Sequence, residues 1–520
     1  MERDPRQNPH GERDLGAGLT GVLAFFARAH AFGVRTAVIC PGGRNAPMVQ
    51  ALETAREWGW EVLPFFEERS AGFFALARAK RDGRPVLVSV TSGTAAANLL
   101  PAVIEAHASD VPLLVATADR PRSHRGHGSP QSMWQKDLFG IYAKTAVDWE
   151  DGEAFPQWDW DRRSPAHVNL CHHEPLWAPH VPHVATPAAG TPPVGLPSVH
   201  ADWPTLQRPL VLLGALPREE RATVEAFCRW YGAPVLAEAS SGLREIDHPH
   251  WLRAGERVVR RWWKRGAFDG VIRFGNVPSW RLWRDLEDWE GPVLNFGPCR
   301  WSGLPQRGIV HGSLTPWLAG WMAAGPRVGA NRELGEADRA NALAQQLLNE
   351  KFPRSEAALV RQLSARAKGM VYLGNSRPVR DWNEHAVHGH SWEIQENRGL
   401  NGIDGQLSAF YGHCRPGQEN WALLGDLTTM YDLSAPWALR HLPGVDARLV
   451  VMNNHGGRIF ERLFPDPAFV NAHATGFADW ARMWHLPHQH ELEGAPGQSV
   501  IELLPDGEQT RALRAELEKL

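Results

Sequence analysis

Short apolar runs alternate with amphipathic stretches over residues 15–120. Four runs have strand length: TAVIC, EVLPFF, PVLVSV and PLLVATA. Between them lie stretches with helical spacing, from Pro47 to Trp58, from Ser70 and from Ala95. Short strands separated by helices of this length predict a parallel, doubly wound sheet, in which functional groups gather beyond the carboxyl ends of the strands.

The same alternation continues after a break in composition. The Pro/Gly/Ala-rich stretch at 185–197 predicts a linker. Further strand candidates follow in PLVLLGA, PVLAEA, GVIRFGN and PVLNFG, and helices over about 336–367 lead into a third segment that begins with GMVYLGNS. We therefore predict an α/β protein of three doubly wound parallel-sheet domains. The predicted domains span 1–184, 207–330 and 331–520, and the predicted linker spans 185–206.

Charge and cysteine usage narrow the class of protein. A net charge of −3 over 520 residues gives no basic field that would hold nucleic acid or a membrane surface. The five cysteines are scattered singly, which favours reduced thiols and a cytoplasmic location. The segment MERDPRQNPHGERD lacks the apolar core of a signal peptide, and no apolar run reaches the length of a transmembrane helix.

Polar groups follow each of the first four predicted strands. The strand ends read PGGR, EER, TSGT and ADR, and each precedes a predicted helix or turn. Any one of them is explained by ordinary turns and helix caps. Four on one edge of a sheet favour a binding site there.

Two strands of the last third end in polar pairs. The run Trp421–Leu424 stops at Gly425-Asp426, and the run in ARLVVMNNHGG stops at Asn453-Asn454. The 28 positions between Asp426 and Asn454 leave room for a crossover helix, so the strands should be parallel neighbours whose polar ends emerge together.

These ends carry oxygen ligands of the kind that Mg²⁺ binds. The Asp426 carboxylate, the Asn454 amide oxygen and the Gly456 carbonyl would form part of a six-oxygen shell, which phosphates and water commonly complete. Free N–H groups near Leu427 would bind the same phosphates. We predict a site for Mg²⁺ and a diphosphate. The alternative is a Gly-Asp turn and an Asn-Asn loop start without ligand.

Gly-Asp-Leu and the following Asn-Asn resemble the cofactor motif of thiamine-diphosphate (ThDP) enzymes. Longer motifs resemble the 2-succinyl-5-enolpyruvyl-6-hydroxy-3-cyclohexene-1-carboxylate (SEPHCHC) synthase family of menaquinone biosynthesis. These are FFEERSAGFFALARAK, VTSGTAAANLLPAVIEAH, LLVATADRPR, GNSRPVRD, NRGLNGIDGQLS and VVMNNHGGRIF. The match runs in order over nearly the whole chain and is strongest in the first 140 residues and over 370–460.

The resemblance implies a transferase with ThDP and Mg²⁺ or Mn²⁺ as cofactors. Its first domain would bind the pyrimidine ring (PYR domain) and its last the diphosphate (PP domain). The sites would form between subunits of a homodimer or a dimer of dimers. In this family, 2-oxoglutarate adds to ThDP and loses CO₂, and the resulting enamine adds to isochorismate to give SEPHCHC.

The resemblance also assigns cofactor contacts. Glu68 matches the glutamate that hydrogen-bonds the aminopyrimidine, a contact that favours the tautomer able to remove the C2 proton. Otherwise Glu68 would be a solvated acid at a helix start. Ile403 matches an apolar residue beneath the cofactor and Phe460 an aromatic in the pocket, although either would also suit a core. Further contacts are implied at Gly425, Asp426, Leu427 and Asn454.

Two dianionic substrates require several arginines, because a guanidinium binds a carboxylate through two parallel bonds. Singly, each such arginine could equally be a surface side chain in a salt bridge. Family arginines fall on Arg44, Arg120, Arg380 and Arg398, and polar substrate contacts fall on Gln131 and Ser376. Arg281 lies roughly where the family often has a lysine.

Several positions depart from the family pattern. Gly43, Asn45 and Ala46 replace hydroxyl residues of PGSRSTP, while Leu400 and Asn401 replace alanine and serine. The loop after Phe460, which would act as a lid, is short. Two alternatives stay open: a related ThDP 2-oxo acid decarboxylase or carboligase with another donor or acceptor, and an inactive ThDP-binding paralogue.

Overall fold

The computed structural model describes residues 17–188, 190, 195–461, 463–464 and 466–520. The N-terminal segment used for the signal-peptide prediction lies outside these residues, as do positions 189 and 191–194 of the predicted linker.

The first sheet contains six parallel strands. They are β1 (Thr36–Cys40), β2 (Glu61–Pro64), β3 (Val86–Val90), β4 (Leu113–Asp119), β5 (Thr145–Glu150) and β6 (Ala166–Cys171). They pair in the order β2-β1-β3-β4-β6-β5. The accompanying helices are α1 (Ala17–Ala31), α2 (Ala46–Glu57), α3 (Glu68–Asp82), α4 (Thr94–Asn98) and α5 (Leu100–Ala108). Every residue of β1, β3 and β4 is buried, as expected for strands with helices on both faces.

The second sheet has five parallel strands, and the four strands predicted for this region are among them. They are β7 (Pro209–Leu213), β8 (Val235–Ala237), β9 (Gly270–Phe274), β10 (Val293–Gly297) and β11 (Val310–His311). Their order is β11-β10-β9-β7-β8. The helices here are α6 (Arg218–Tyr231), α7 (Glu256–Lys264), α8 (Arg281–Asp285) and α9 (Thr315–Ala324).

The third sheet repeats the topology of the first. Its strands are β12 (Met370–Leu373), β13 (Glu393–Gln395), β14 (Glu419–Gly425), β15 (Asp446–Met452), β16 (His488–Gln489) and β17 (Gln498–Leu503). They pair in parallel in the order β13-β12-β14-β15-β17-β16. The helices are α10 (Arg332–Lys351), α11 (Glu356–Arg366), α12 (Arg377–His385), α13 (Gln406–His413), α14 (Asp426–Tyr431), α15 (Ala478–Met483) and α16 (Gly507–Lys519).

Three parallel sheets with interleaved helices confirm the predicted fold class. Short 3₁₀ turns complete the regular structure at Gly43–Asn45, Arg122–His124, Gly140–Tyr142, Ala239–Ser241, Ala435–His441 and Pro467–Phe469. The residue bounds given above for the domains and linker stay a prediction.

The first and third sheets share one hydrophobic core, and α3 packs against α13 at its centre. Glycine allows the two helices to approach closely. A Cβ atom at Gly412 of α13 would lie 2.6 Å from the carbonyl oxygen of Phe74 in α3. This packing joins two distant parts of the sequence into one unit.

Among the helices of the described residues, none combines the length and apolar character needed to cross a bilayer.

Candidate active site

The two polar strand ends of the third sheet meet, as the sequence predicts. β14 and β15 are parallel neighbours with Gly425 opposite Met452, so Asp426 and Asn453-Asn454 leave the sheet at the same edge. Asp426 is 2% exposed, and its Oδ2 accepts a hydrogen bond from the backbone N–H of Gly456 at 2.9 Å. The carboxylate is thereby fixed beside the turn that follows β15.

The oxygen atoms at this edge suit a hard divalent cation. Asn454 Nδ2 donates to Glu356 Oε1 at 2.8 Å, whereas Asn454 Oδ1 is buried and no donor among the described residues reaches it. The Asp426 carboxylate accepts from the Leu427 N–H at 2.6 Å and retains lone pairs for a metal. An unpaired buried acceptor is unfavourable unless a ligand satisfies it, and a carboxylate with an amide oxygen is a donor set that Mg²⁺ or Mn²⁺ takes. The residues therefore fit the predicted cation.

His473 also reaches this carboxylate. Its Nε2 lies 3.2 Å from Asp426 Oδ2. His473 and a bound cation would therefore share the Asp426 carboxylate.

Most predicted cofactor contacts line one cavity at this edge. Asn375, Arg377 and Met452 lie on its wall as well. The predicted site residues that the structure brings together here are Ser376, Ile403, Gly425, Asp426, Leu427, Asn454, Gly456 and Phe460. The cavity thus combines the oxygen cluster with apolar walls.

Arg380 and Arg398 adjoin this cavity through the turn that carries Ser376. Arg380 Nη1 donates to the Ser376 carbonyl at 2.5 Å, and Arg398 Nη1 donates to Asn375 Oδ1 at 3.0 Å. Burial lowers the pKa of Arg380, and the neighbouring charges of Arg398 and Arg377 lower it further, whereas Glu238 and Glu256 oppose this shift. Closely spaced guanidinium groups repel one another. Their positive potential would therefore stabilise an anion bound between or beside them.

The remaining predicted contacts of the first domain lie at the carboxyl edge of the first sheet. Arg44 donates to the His172 carbonyl at 3.1 Å and pairs with Glu174 at 3.1 Å. Arg120 follows β4 and donates to the carbonyl of Pro130, which immediately precedes Gln131, at 2.8 Å. Neither arginine, nor Gln131, is part of the cavity wall at the third sheet.

The two acids of EER have different roles in the structure. Glu67 caps α3, because its carboxylate accepts from the N–H groups of Arg69 and Ser70 at 3.0 Å. Glu68, the first residue of α3, accepts a bond of 3.3 Å from Asn98. Glu68 also lies away from the third-sheet cavity of its own chain. The cap explains Glu67 and leaves Glu68 available for a ligand.

Arg281 is not part of the cavity wall at the third sheet. It opens α8, its side chain is 58% exposed, and it pairs with Asp285 one turn later at 3.0 Å. This contact is the surface salt bridge that the sequence leaves as an alternative, and the substrate role of Arg281 stays a prediction.

Two of the departures from the family pattern have a structural account. Asn45 is buried, accepts from the Gly42 N–H at 2.8 Å and donates to the Cys40 carbonyl at 3.0 Å, so it closes the turn after β1. Asn401 has φ of 63°, a left-handed conformation that asparagine adopts more readily than most residues. Leu400 beside it is 57% exposed.

Sequence reasoning missed two buried acids near the site. Glu356 contacts Asn454 across 98 positions, and Glu105 of α5 accepts from the N–H groups of Gly399 and Leu400 at 2.8 and 2.9 Å. In the sequence, each is a single acid on an amphipathic helix, and such acids usually face solvent. Only the folded chain places them beside the predicted site residues.

Known proteins of similar sequence match most of the chain. Residues 19–139 match the family described as "Thiamine pyrophosphate enzyme, N-terminal TPP binding domain". The 2-succinyl-5-enolpyruvyl-6-hydroxy-3-cyclohexene-1-carboxylate synthase of Bdellovibrio bacteriovorus is 38% identical over 514 residues, which cover 94% of this chain and 96% of that protein. Synthases of the same name from Akkermansia muciniphila and Synechococcus sp. (strain RCC307) are 37% and 33% identical. Their alignments cover 95% and 86% of this chain, and 98% and 84% of the relatives.

The three parallel sheets, the paired strand ends and the match of the first domain define the chain as a thiamine-diphosphate enzyme. Within that class it belongs to the SEPHCHC synthase family, since relatives of that name match almost its full length.

Proposed function

We propose that this chain is the transferase that forms SEPHCHC in menaquinone biosynthesis. It decarboxylates 2-oxoglutarate and adds the remaining four-carbon unit to isochorismate, with ThDP and Mg²⁺ or Mn²⁺ as cofactors. Family membership supports the reaction. The observation that carries the proposal is the pair formed by the Asp426 carboxylate and the unpaired Asn454 Oδ1 in one cavity.

The third-sheet cavity holds the diphosphate end of the cofactor. Asp426, Asn454 and the Gly456 carbonyl bind the cation, and the backbone at Gly425 and Leu427 contacts the diphosphate. Ile403 and Phe460 supply apolar walls that exclude water from the reacting carbon. When bound, ThDP supplies a nucleophilic carbon and accommodates the charge left by loss of CO₂.

The first-sheet edge supplies the acid that controls the pyrimidine ring. Glu68 hydrogen-bonds this ring and holds a proton at its nitrogen. The Glu67 cap supports this assignment, because it fixes the start of α3 and leaves the neighbouring Glu68 carboxylate uncommitted to the helix.

The substrates carry four carboxylates, which the arginines neutralise and orient. Arg380 and Arg398 converge on the Ser376 turn and favour a dianionic donor, since a 2-oxo acid with a single carboxylate, such as pyruvate, does not need both. Arg44, Arg120, Gln131, Arg281 and Ser376 supply further contacts.

The active site forms between two copies of the chain. The PYR domain (1–184) of one copy presents Arg44, Glu68 and Arg120 to the cavity of the PP domain (331–520) of its partner. The separation of these residues from the third-sheet cavity within one chain supports this arrangement. The assembly is a homodimer or a dimer of dimers and works in the cytoplasm, without nucleic-acid or membrane partners.

The assay for this function combines the purified chain with ThDP, Mg²⁺, 2-oxoglutarate and isochorismate. Release of CO₂ with loss of isochorismate is the expected result. CO₂ from pyruvate but not from 2-oxoglutarate would identify a related decarboxylase or carboligase. Binding of ThDP without turnover of either acid would identify an inactive paralogue.

A further inference from the structure

The orientation of the Asn454 amide is determined by its neighbour. Glu356 Oε1 lies 2.8 Å from Asn454 Nδ2. An ionised carboxylate only accepts hydrogen bonds, so the NH₂ end of the amide must face Glu356. The oxygen end, Oδ1, therefore points away from Glu356, and it is this atom that is buried without a donor among the described residues.

Glu356 is itself held firmly. It is 3% exposed at the start of α11, where Ser355 caps the helix. Its Oε2 accepts from Arg514 Nη2 at 2.8 Å and lies 3.4 Å from Arg377 Nε. The two guanidinium groups thus lie at Oε2, and Oε1 is the oxygen that faces the Asn454 amide.

The position of α11 places Glu356 directly behind the candidate cation site. Val360, one turn further along the same face, lines the cavity together with Asn454 and Asp426. The backbone of Asn454 is fixed as well, because Arg458 Nε donates to its carbonyl at 3.1 Å. A flipped amide would place Oδ1 against the Glu356 carboxylate and turn an NH₂ group towards the cation.

We propose that Glu356 is a positioning residue for the divalent cation: it locks the Asn454 amide so that Oδ1 faces the metal. The proposal rests on the metal–diphosphate site proposed above. Glu356 does not touch the cation and acts only through Asn454, as residues behind metal ligands commonly do.

The test measures Mn²⁺ affinity in the presence of saturating ThDP, from the electron paramagnetic resonance signal of free Mn²⁺. Glu356→Gln retains the shape of the side chain, but its amide can donate to Oδ1 and so permits the flipped Asn454. We expect Glu356→Gln to weaken Mn²⁺ binding by about tenfold or more. Arg514→Gln is the matched control, since it removes an ion pair of Glu356 and leaves the Asn454 contact; we expect its affinity to stay within about threefold of the parent.

A second variant separates positioning from a structural role. In the double variant Glu356→Gln/Asn454→Asp, the carboxylate introduced at position 454 presents an oxygen to the metal in either orientation. The amide introduced at position 356 donates to the other oxygen of that carboxylate. This double variant should regain Mn²⁺ affinity relative to Glu356→Gln, whereas damage to the fold would not be repaired.

Each outcome decides between the two proposals. Equal Mn²⁺ affinity in the parent and Glu356→Gln, an equal loss in Arg514→Gln, or no recovery in the double variant would overturn the positioning role alone. If the parent protein with ThDP does not bind Mn²⁺, the metal–diphosphate site itself is wrong and both proposals fall. Thermal unfolding of every variant without metal accompanies the titration, and a folded Glu356→Gln with weak Mn²⁺ binding is the supporting result.

Discussion

Glu105 binds the backbone of Leu400 although 295 residues separate them. The carboxylate also accepts from the Gly399 N–H, so one acid of the first domain fixes the loop that begins with Arg398 in the last. The loop that carries a predicted substrate contact is therefore anchored from another domain of the same chain.

This anchor predicts a defect in substrate binding. Glu105→Gln leaves one of the two loop N–H groups facing an NH₂ group, and an unpaired buried donor costs about 1–3 kcal/mol. We expect KM for the dianionic substrates to rise about tenfold with a smaller change in kcat, and amide exchange of the 399–401 backbone to accelerate. Glu53→Gln, an exposed acid on α2, is the control. An unchanged KM and unchanged exchange in Glu105→Gln would contradict the anchor.

The contact between α3 and α13 predicts opposite effects for two helical glycines. An alanine Cβ at Gly412 would lie 2.6 Å from the Phe74 carbonyl oxygen and 2.7 Å from Ala77 Cβ. Gly412→Ala should therefore lower the free energy of unfolding by about 1–3 kcal/mol. An alanine Cβ at Gly320 in α9 would have no atom within 4 Å, so Gly320→Ala should raise the free energy of unfolding by about 0.5–1 kcal/mol. Urea denaturation measures both, and equal effects would show that the packing is looser than described.

A buried histidine predicts loss of stability in acid. Burial lowers the pKa of His167 to about 4, and its Nε2 contacts Thr117 Oγ1, which donates to Asn169. The unfolded chain takes up a proton at its ordinary pKa of about 6.5, so it binds more protons than the folded chain between these values. The stability that His167 contributes is fully present above about pH 6.5 and is lost as the pH falls towards 4.

Between pH 7 and pH 5, the contribution of His167 to the free energy of unfolding should fall by about 2 kcal/mol. Urea midpoints at the two pH values, compared in the parent and His167→Gln, isolate this residue because all other groups titrate in both proteins. The same acid dependence in the two proteins would rule out His167 as its source.

Substitution of Glu68 and of Glu67, the two neighbouring acids at the start of α3, should have different effects. Glu68→Gln should leave ThDP binding largely intact and slow exchange of the thiazolium C2 proton by about 10²-fold or more, measured by NMR after acid quench. Glu67→Gln weakens a helix cap and should alter stability rather than exchange. If exchange is unchanged in Glu68→Gln, that residue does not control the pyrimidine ring.

The sequence predicted the elements whose signals are local. The apolar runs that became β14 and β15 end in polar pairs, and their spacing alone indicated parallel neighbours, as found. The contacts of Glu356 and Glu105 could not be predicted in this way, because their partners lie 98 and 294 positions away and depend on how helices dock. The division of roles between Glu67 and Glu68 depends similarly on side-chain geometry at one helix start.

In the proposed site, Asp426 and Asn454 hold a divalent cation and, through it, the diphosphate of ThDP. Titration of ThDP at increasing Mg²⁺ tests this arrangement directly. The proteins compared are the parent, Asp426→Ala and the exposed control Asp479→Ala. We expect Mg²⁺-dependent ThDP binding in the parent and control, and at least about a tenfold loss of ThDP affinity in Asp426→Ala. Equal ThDP affinity in Asp426→Ala and the parent at every Mg²⁺ concentration would contradict it.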